Sequence, residues 1–339
     1  MDVLTGPLLG TDSNPRAQTR LYRGNTCVSQ NFAVAEISNH LAEPESVVWL
    51  DLCRPTAADF EMINAEFGLH ELAVEDALQE SQRPKLDRYA THLFISAYAV
   101  ALNPPDDRLK TSEIAVFLTD KALITVRKDD QFDMAAVMAR WDATSDLASH
   151  GVAFLLHGLL DHIVDGHFLA VQRLDESIED LEELLFDDHR SQIQAVQHRS
   201  FQLRRNLVIL RRVALPMREV LNSLLRRDLH VVDEAMTPYY QDVYDHVLRV
   251  TEWTESLRDL IATTVETNLT IQANHMNLIM KKVTSWAAII AVPTAITGFY
   301  GQNLPFPGAG THVGVLSSTA LIAVLSAILY ATFKRRDWL

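Results

Sequence analysis

Between Lys282 and Lys334 the chain carries no Asp, Glu, Lys or Arg. This gap constrains the fold more than any other feature, because about twenty consecutive apolar residues are what a helix needs to cross the hydrocarbon core of a bilayer. Two apolar segments fill it: Val283–Tyr300, 18 residues long, and Val313–Phe333. Gly301-Gln302-Asn303 and the loop Leu304 to His312 separate them. The pair reads as a transmembrane hairpin. Lys281-Lys282 precede it, Lys334-Arg335-Arg336 follow it, and the loop has no Lys or Arg, so the positive-inside rule places both ends in the cytoplasm.

The remaining sequence is long enough for a sizeable folded region before the hairpin. Its formal net charge of -14 over 339 residues argues against nucleic acid as a partner and suits a domain that meets cations. Cys27 and Cys53 have no metal-ligand spacing and read as packing residues. The N-terminus has no apolar run of signal-peptide type, and residues 1–25 are expected to be a mobile tail.

Residues 26–145 read as a mixed α/β domain. VVWLDL (47–52), HLFISAYAV (92–100), EIAVFLT (113–119) and ALITVRK (122–128) are short β-branched or aromatic runs, with a turn expected at Asn103-Pro104-Pro105-Asp106-Asp107. Thr56 caps a helix reaching Phe67, and Glu71 to Asp76 opens another. The class is therefore α+β, a sheet covered by helices, followed by an all-helical remainder.

No glycine occurs between Gly166 and Gly298, so residues 146–237 are expected to form long helices. The first is acidic (Asp175 to Asp188) and the next basic (Arg190 to Arg227), as in an antiparallel pair with facing charges. A stalk helix, 238–282, then runs from Pro238 into the first membrane span, 283–303 including its signature. The outer loop, 304–312, the second span, 313–333, and the basic tail, 334–339, complete the chain. The stalk carries an apolar stripe of Val243, Val247, Val250, Leu257, Leu260 and Ile261, which calls for packing partners. The thirteen histidines show no HExxH spacing, and there is no phosphate-binding glycine loop and no GxSxG. Nothing here marks an enzyme.

Tyr300-Gly301-Gln302-Asn303 at the exit of the penultimate helix, with MKK and PTAITG before it and KRRDWL at the end, resembles the CorA superfamily of divalent-cation channels. HELAVEDALQESQRPKLDRY and PYYQDVYDH extend the resemblance, which covers the chain from about residue 45 onward. It implies a pentamer in the cell membrane that passes divalent cations, Mg2+ first and also Co2+ or Ni2+. The need for copies has a physical basis too, since two helices enclose no path for an ion. Steps of three and four along the first span place Asn277, Met280, Val283, Ala287, Ala291, Thr294 and Gly298 on one lining face, with Gly301 and Asn303 beyond it. Mg2+ gives up its water reluctantly, so a ring of Asn303 carbonyls that accepts hydrogen bonds from coordinated waters suits its passage.

The sequence departs from the family at two points. Gln302 stands where the family has methionine, and the outer loop lacks the acidic residue usual in magnesium-selective members. The zinc-transporting branch, similar to ZntB, shares both traits, so Zn2+ is the alternative cargo, with His312 as a soft ligand. A non-conducting, membrane-anchored metal sensor is the alternative of a different class. The resemblance also implies a regulatory Mg2+ held between subunits by Asp76 and Asp242, with Glu75, Asp245 and Glu266 as further carboxylates. Occupancy of that site would hold the closed assembly.

Overall fold

The computed structural model describes residues 16–79, 83–103, 108–185, 193–229, 231–302, 308 and 310–339. They fall in two compact units, Met1–Ala262 and Thr263–Leu339.

The first unit is built on a seven-stranded sheet of order β2-β1-β3-β7-β6-β5-β4. Its strands are β1 (Ala17–Arg23), β2 (Thr26–Gln30), β3 (Ser46–Cys53), β4 (Lys85–Arg88), β5 (Leu93–Asn103), β6 (Arg108–Leu118) and β7 (Ala122–Arg127). Only β3 and β7 pair in parallel. The other neighbours are antiparallel. All four strands expected from sequence are present. The turn expected at 103–107 lies outside the described residues beyond Asn103, but its flanks pair as Asn103 with Arg108.

Helices cover both faces of the sheet. One face packs against α2 (Ala57–Phe67) and α3 (Glu71–Leu78): Val48, Leu50, Phe117 and Ile124 meet Phe60, Ile63, Ala73 and Ala77. The opposite face packs against α4 (Met134–Ala143) and α5 (Val152–Leu185), where Trp49, Ile95, Val116 and Leu123 meet Val137, Trp141, Phe154 and Leu159. Burial on two sides explains why β7 is apolar without a period of two. The capping threonine is where the sequence places it: Thr56 accepts from the Asp59 amide, and the Asp59 carboxylate accepts from the Thr56 amide at 2.7 Å. A short helix, α1 (Ile37–Leu41), packs on β3.

The expected mobile tail needs correction over residues 17–23. They form β1, paired along its length with β3, and Leu21 is fully buried. The strand escapes a pattern search because Arg20 sits among its buried residues, where its guanidinium holds Asp142 at 2.8 Å. Residues 1–15 lie outside the described residues. Asp51 and Arg127 form an ion pair buried on both sides, at 2.5 Å. Here the Thr125 hydroxyl donates to Asp51 and the Phe132 carbonyl accepts from Arg127. A buried pair is tolerable when its remaining donors and acceptors are satisfied in this way.

α5 and α6 (Ile193–Leu224) are the acidic and basic helices, joined near their junction by Arg199 and Asp180 at 2.8 Å. Asp187, Asp188 and Arg190 lie outside the described residues. α7 runs from Thr237 to Tyr300, 64 residues, and continues through Pro293. Within the first unit it buries Val243, Val247, Val250, Leu257 and Ile261, and the Tyr240 hydroxyl donates to the Ala153 carbonyl at 2.9 Å. Leu260 is 37 % exposed, against the expected stripe. Steps of four, three, four, three and four lead from Val243 to Val247, Val250, Thr254, Leu257 and Ile261, and Leu260 falls beside that line.

The second unit contains the rest of α7 and α8 (His312–Arg335). Three described helices are long and apolar enough to cross a membrane. The most apolar window of α5 is 56 % buried in the first unit, whereas those of α7 and α8 are only 6 % buried. α5 is therefore a core helix. α7 and α8 present apolar surface that water does not tolerate in such length.

Candidate functional site

From Asn277 upward, α7 has two unlike faces. Ser285 is fully buried, and Ile289, Val292, Ile296 and Tyr300 are half-buried, following steps of three and four. The positions expected to line a path, Asn277, Met280, Val283, Ala287, Ala291, Thr294, Gly298 and Gly301, are all exposed. The Thr294 hydroxyl is occupied by the Ile290 carbonyl at 2.9 Å and the Thr297 hydroxyl by that of Pro293 at 2.8 Å. This face therefore offers no free charge and few free donors.

The helix ends in a tightened turn. Gly301 donates to Thr297 and Gln302 to Phe299, and a Cβ on Gly301 would approach the Thr297 carbonyl to 3.1 Å. Gly298 is different, because among the described residues a Cβ there would meet nothing within 4 Å. Asn303 lies outside the described residues, as do 304–307 and Ala309. The far side of the loop is anchored: Thr311 caps α8, accepting from the Gly314 amide and donating to the Gly308 carbonyl at 2.8 Å. Gly308 packs so closely on Gly314 that a Cβ at Gly314 would run into the Gly308 carbonyl. Tyr300, Thr311, His312 and Ser318 share a cleft of about 400 Å³ at this end.

The carboxylates assigned to regulation are dispersed in the chain. Asp76 on α3 is half-buried and holds the Lys85 ammonium at 2.6 Å, and Lys85 also reaches Asp87 at 2.9 Å. Burial disfavours charge on Lys85, but these two carboxylates outweigh it and raise its pKa above the ordinary value. Glu75 accepts from Gln79 at 2.6 Å. Asp242 is exposed and faces His246, one turn on, at 3.7 Å, while Asp245 accepts from Gln241 at 3.1 Å. Glu266 is exposed in the second unit.

One constellation was not read from the sequence. Asp161 and Asp165 on α5 and His246 on α7 bring potential ligand atoms within 4.8 Å of one another. Arg140 of α4 bridges both aspartates, reaching Asp165 at 2.5 Å. His246 links this group to Asp242. Nearby His157 and His162 are both held below the ordinary histidine pKa, chiefly by burial. The signal available in sequence was two four-residue spacings, Asp161 with Asp165 and Asp242 with His246, each setting a pair on one helix face.

A mixed-sheet domain, long helices and a C-terminal pair of membrane-length helices joined through Gly301-Gln302 define a class of membrane protein. Comparison with known proteins identifies the family. Residues 44–335 match the family described as CorA-like Mg2+ transporter protein. The chain is 31 % identical over 276 residues to the cobalt/magnesium transport protein CorA of Thermotoga maritima, covering 80 % of this chain and 78 % of that one. It is 24 % identical over 294 residues to the zinc transport protein ZntB of Yersinia pseudotuberculosis, covering 86 % and 88 %. The complete structure of the CorA magnesium transporter from Methanocaldococcus jannaschii superposes with a TM-score of 0.77 at 22 % identity, over 95 % of this chain and 98 % of that one. The chain belongs to the CorA family.

Proposed function

We propose that this protein is a membrane channel for divalent metal cations that carries Mg2+, with Co2+ and Ni2+ as further cargo, as a homo-pentamer with both termini in the cytoplasm. The observation that carries the reading is the exposed, uncharged face of α7. A glycine inside a helix costs roughly 1 kcal/mol relative to alanine, and none of the described residues would crowd a Cβ at Gly298. Close approach of neighbouring copies around an axis supplies a reason for it. In this reading the α7 helices surround the path, and a ring of Asn303 amides at its mouth holds the hydrated ion. Gln302 adds hydrogen-bonding capacity beside that ring.

Internal Mg2+ closes the assembly through Asp76 of one subunit and Asp242 of the next, with Glu75, Asp245 and Glu266 adding negative potential. Oxygen ligands suit this ion. Asp242 is exposed, as a ligand to an inter-subunit ion must be, whereas Asp76 already shares its carboxylate with Lys85. Mg2+ therefore competes with an ammonium for Asp76, which suits a sensor of weak affinity.

Zn2+ is the second reading, favoured by the acid-free loop and by His312 in the cleft beside Tyr300. The deciding experiment is flux into liposomes with Mg2+, Co2+, Ni2+ and Zn2+ supplied separately. Saturable Mg2+ entry is expected. Zn2+ entry without Mg2+ entry would transfer the protein to the second reading, and absence of any divalent flux would leave a non-conducting sensor.

A further inference from the structure

Arg20 lies in the middle of β1, and the register of the sheet sets its neighbours. Gln30 of β2 and Trp49 of β3 stand directly opposite it, and Gln18 precedes it by two, so these four side chains share one face of the sheet. That face is the one under α4, where Trp49 meets Trp141 edge to face and Arg20 holds Asp142. The cover is incomplete. A cavity of about 260 Å³ remains beside Met138 of α4, and its walls include Gln18, Arg20, Gln30, Asn31 and Trp49. Gln30 and Asn31 are exposed, whereas Arg20 and Trp49 are buried, so the cavity opens beside β2 and deepens toward β3.

The Arg20 guanidinium is only partly used. Both Nη atoms hold Asp142, at 2.8 and 3.2 Å, and Nη1 also donates to the Tyr22 hydroxyl at 3.3 Å. Nε has no hydrogen-bond partner among the described residues, although the side chain is only 8 % exposed. A buried donor on a charged group is costly to leave without an acceptor. Asp142 takes the end of the fork, which leaves the side edge, Nε with Nη2, for a second pair of oxygens. The carboxylates of this face, Asp142 and Asp51, are each already paired with an arginine, so neither stands as a free negative charge against an incoming anion.

We propose that this cavity binds a small organic carboxylate. The carboxylate oxygens accept from Nε and Nη2 of Arg20, the Gln18, Gln30 and Asn31 amides hydrogen-bond the other polar groups of the ligand, and Trp49 and Met138 meet its carbon skeleton. Size bounds the ligand from both sides. The cavity is several times the volume of one water, about 30 Å³, and lies below the roughly 300 Å³ at which pockets for drug-sized molecules begin. Charge bounds it too, because one guanidinium edge flanked by neutral amides suits a single carboxylate better than a polyphosphate. Once bound, the ligand ties β1 and β2 to α4 through Arg20 and Asp142.

The site lies wholly within the first unit, so its test does not depend on ion passage. The full-length protein in mild detergent is titrated calorimetrically with L-lactate, succinate and benzoate, and in parallel with lactamide, succinamide, benzamide and inorganic phosphate. At least one acid is expected to bind saturably, and its amide roughly tenfold more weakly. Arg20→Lys keeps a charge for Asp142 but loses the planar edge, and should weaken binding roughly tenfold. Asn31→Gly suits the left-handed backbone at that position (φ 55°) and should leave thermal stability unchanged. Loss of its amide should weaken binding roughly fivefold, and this variant decides the matter if Arg20→Lys does not fold. No saturable binding of any of the three acids at about 10 mM, equal binding of acids and amides, or binding that either variant leaves unchanged overturns the proposal. Phosphate bound as tightly as the best acid would mean a site for inorganic anions and would equally overturn it. Carboxylate binding without divalent flux would sink the channel and leave this site standing, whereas flux without carboxylate binding would do the reverse.

Discussion

The Lys85 ammonium lies 2.6 Å from the Asp76 carboxylate, nine residues earlier in the chain. Lys85 is the last residue of the Gln82-Arg83-Pro84-Lys85 run, and β4 turns it back onto α3. If Asp76 takes part in sensing internal Mg2+, Lys85 is its built-in competitor. Lys85→Gln should then lower the Mg2+ concentration that protects the protein from limited proteolysis. The expected shift is roughly fivefold, for a half-exposed ion pair of about 1 kcal/mol. Asp76→Asn with Asp242→Asn should abolish most protection while flux persists. Protection unchanged in both variants would remove Asp76 and Asp242 from the sensor.

Gly298 and Asn303 test the path itself. Among the described residues a Cβ at Gly298 meets no atom of its own chain, so the effect of Gly298→Val falls between copies: each chain should still be expressed, while the assembly is loosened and divalent flux falls at least tenfold. Asn303→Ala should lower flux strongly with the assembly intact. Wild-type flux from Gly298→Val would place that face against lipid rather than around the ion.

His167 is a buried histidine of α5 whose Nε2–H donates to the Tyr98 carbonyl at 2.7 Å and whose Nδ1 has no partner among the described residues. Burial lowers its pKa to about 4, with the Tyr98 carbonyl opposing that shift. Since the folded value lies below the ordinary 6.5, the unfolded chain takes up this proton first as pH falls. The stability tied to neutral His167 is complete above pH 6.5 and is lost between there and about pH 4. His167→Gln keeps a donor without titrating. In denaturant titrations of the full-length protein, its stability should fall less steeply over that window, by up to about 1.4 kcal/mol per pH unit. Parallel curves for the two proteins would show that His167 is not what titrates.

Asp337 holds the end of α8 in a conformation that costs an L-residue energy and suits glycine. Asp337→Gly should preserve the termination, and Asp337→Val should weaken it. Timed digestion with a carboxypeptidase, followed by intact mass, reads this directly. Leu339 and Trp338 should leave several-fold faster from the valine variant and no faster than wild type from the glycine variant. Equal release from all three would mean that the tail is not held by this motif.

Some of this protein could be read one residue at a time, and the two exposed helices of membrane length, α7 and α8, are the plainest case. Crossing a bilayer is a matter of length and charge along the chain, and the gap between Lys282 and Lys334 states both. The Thr56 cap is legible for the same reason, because its partner is Asp59, three residues away. β1 was hidden because a strand covered on both faces loses its alternation, and Arg20 breaks what remains. Its burial is decided by Asp142, 122 residues later. The meeting of Asp161 and Asp165 with His246 depends on which faces of α5 and α7 pack together, and each helix alone specifies only its own pair. Whether Asp76 stands free or bound to Lys85 was settled by the path of β4. The sequence by itself determined which stretches are long and apolar enough to leave water. The packing of distant elements, whose free energy belongs to no single segment, decided which of its charges meet.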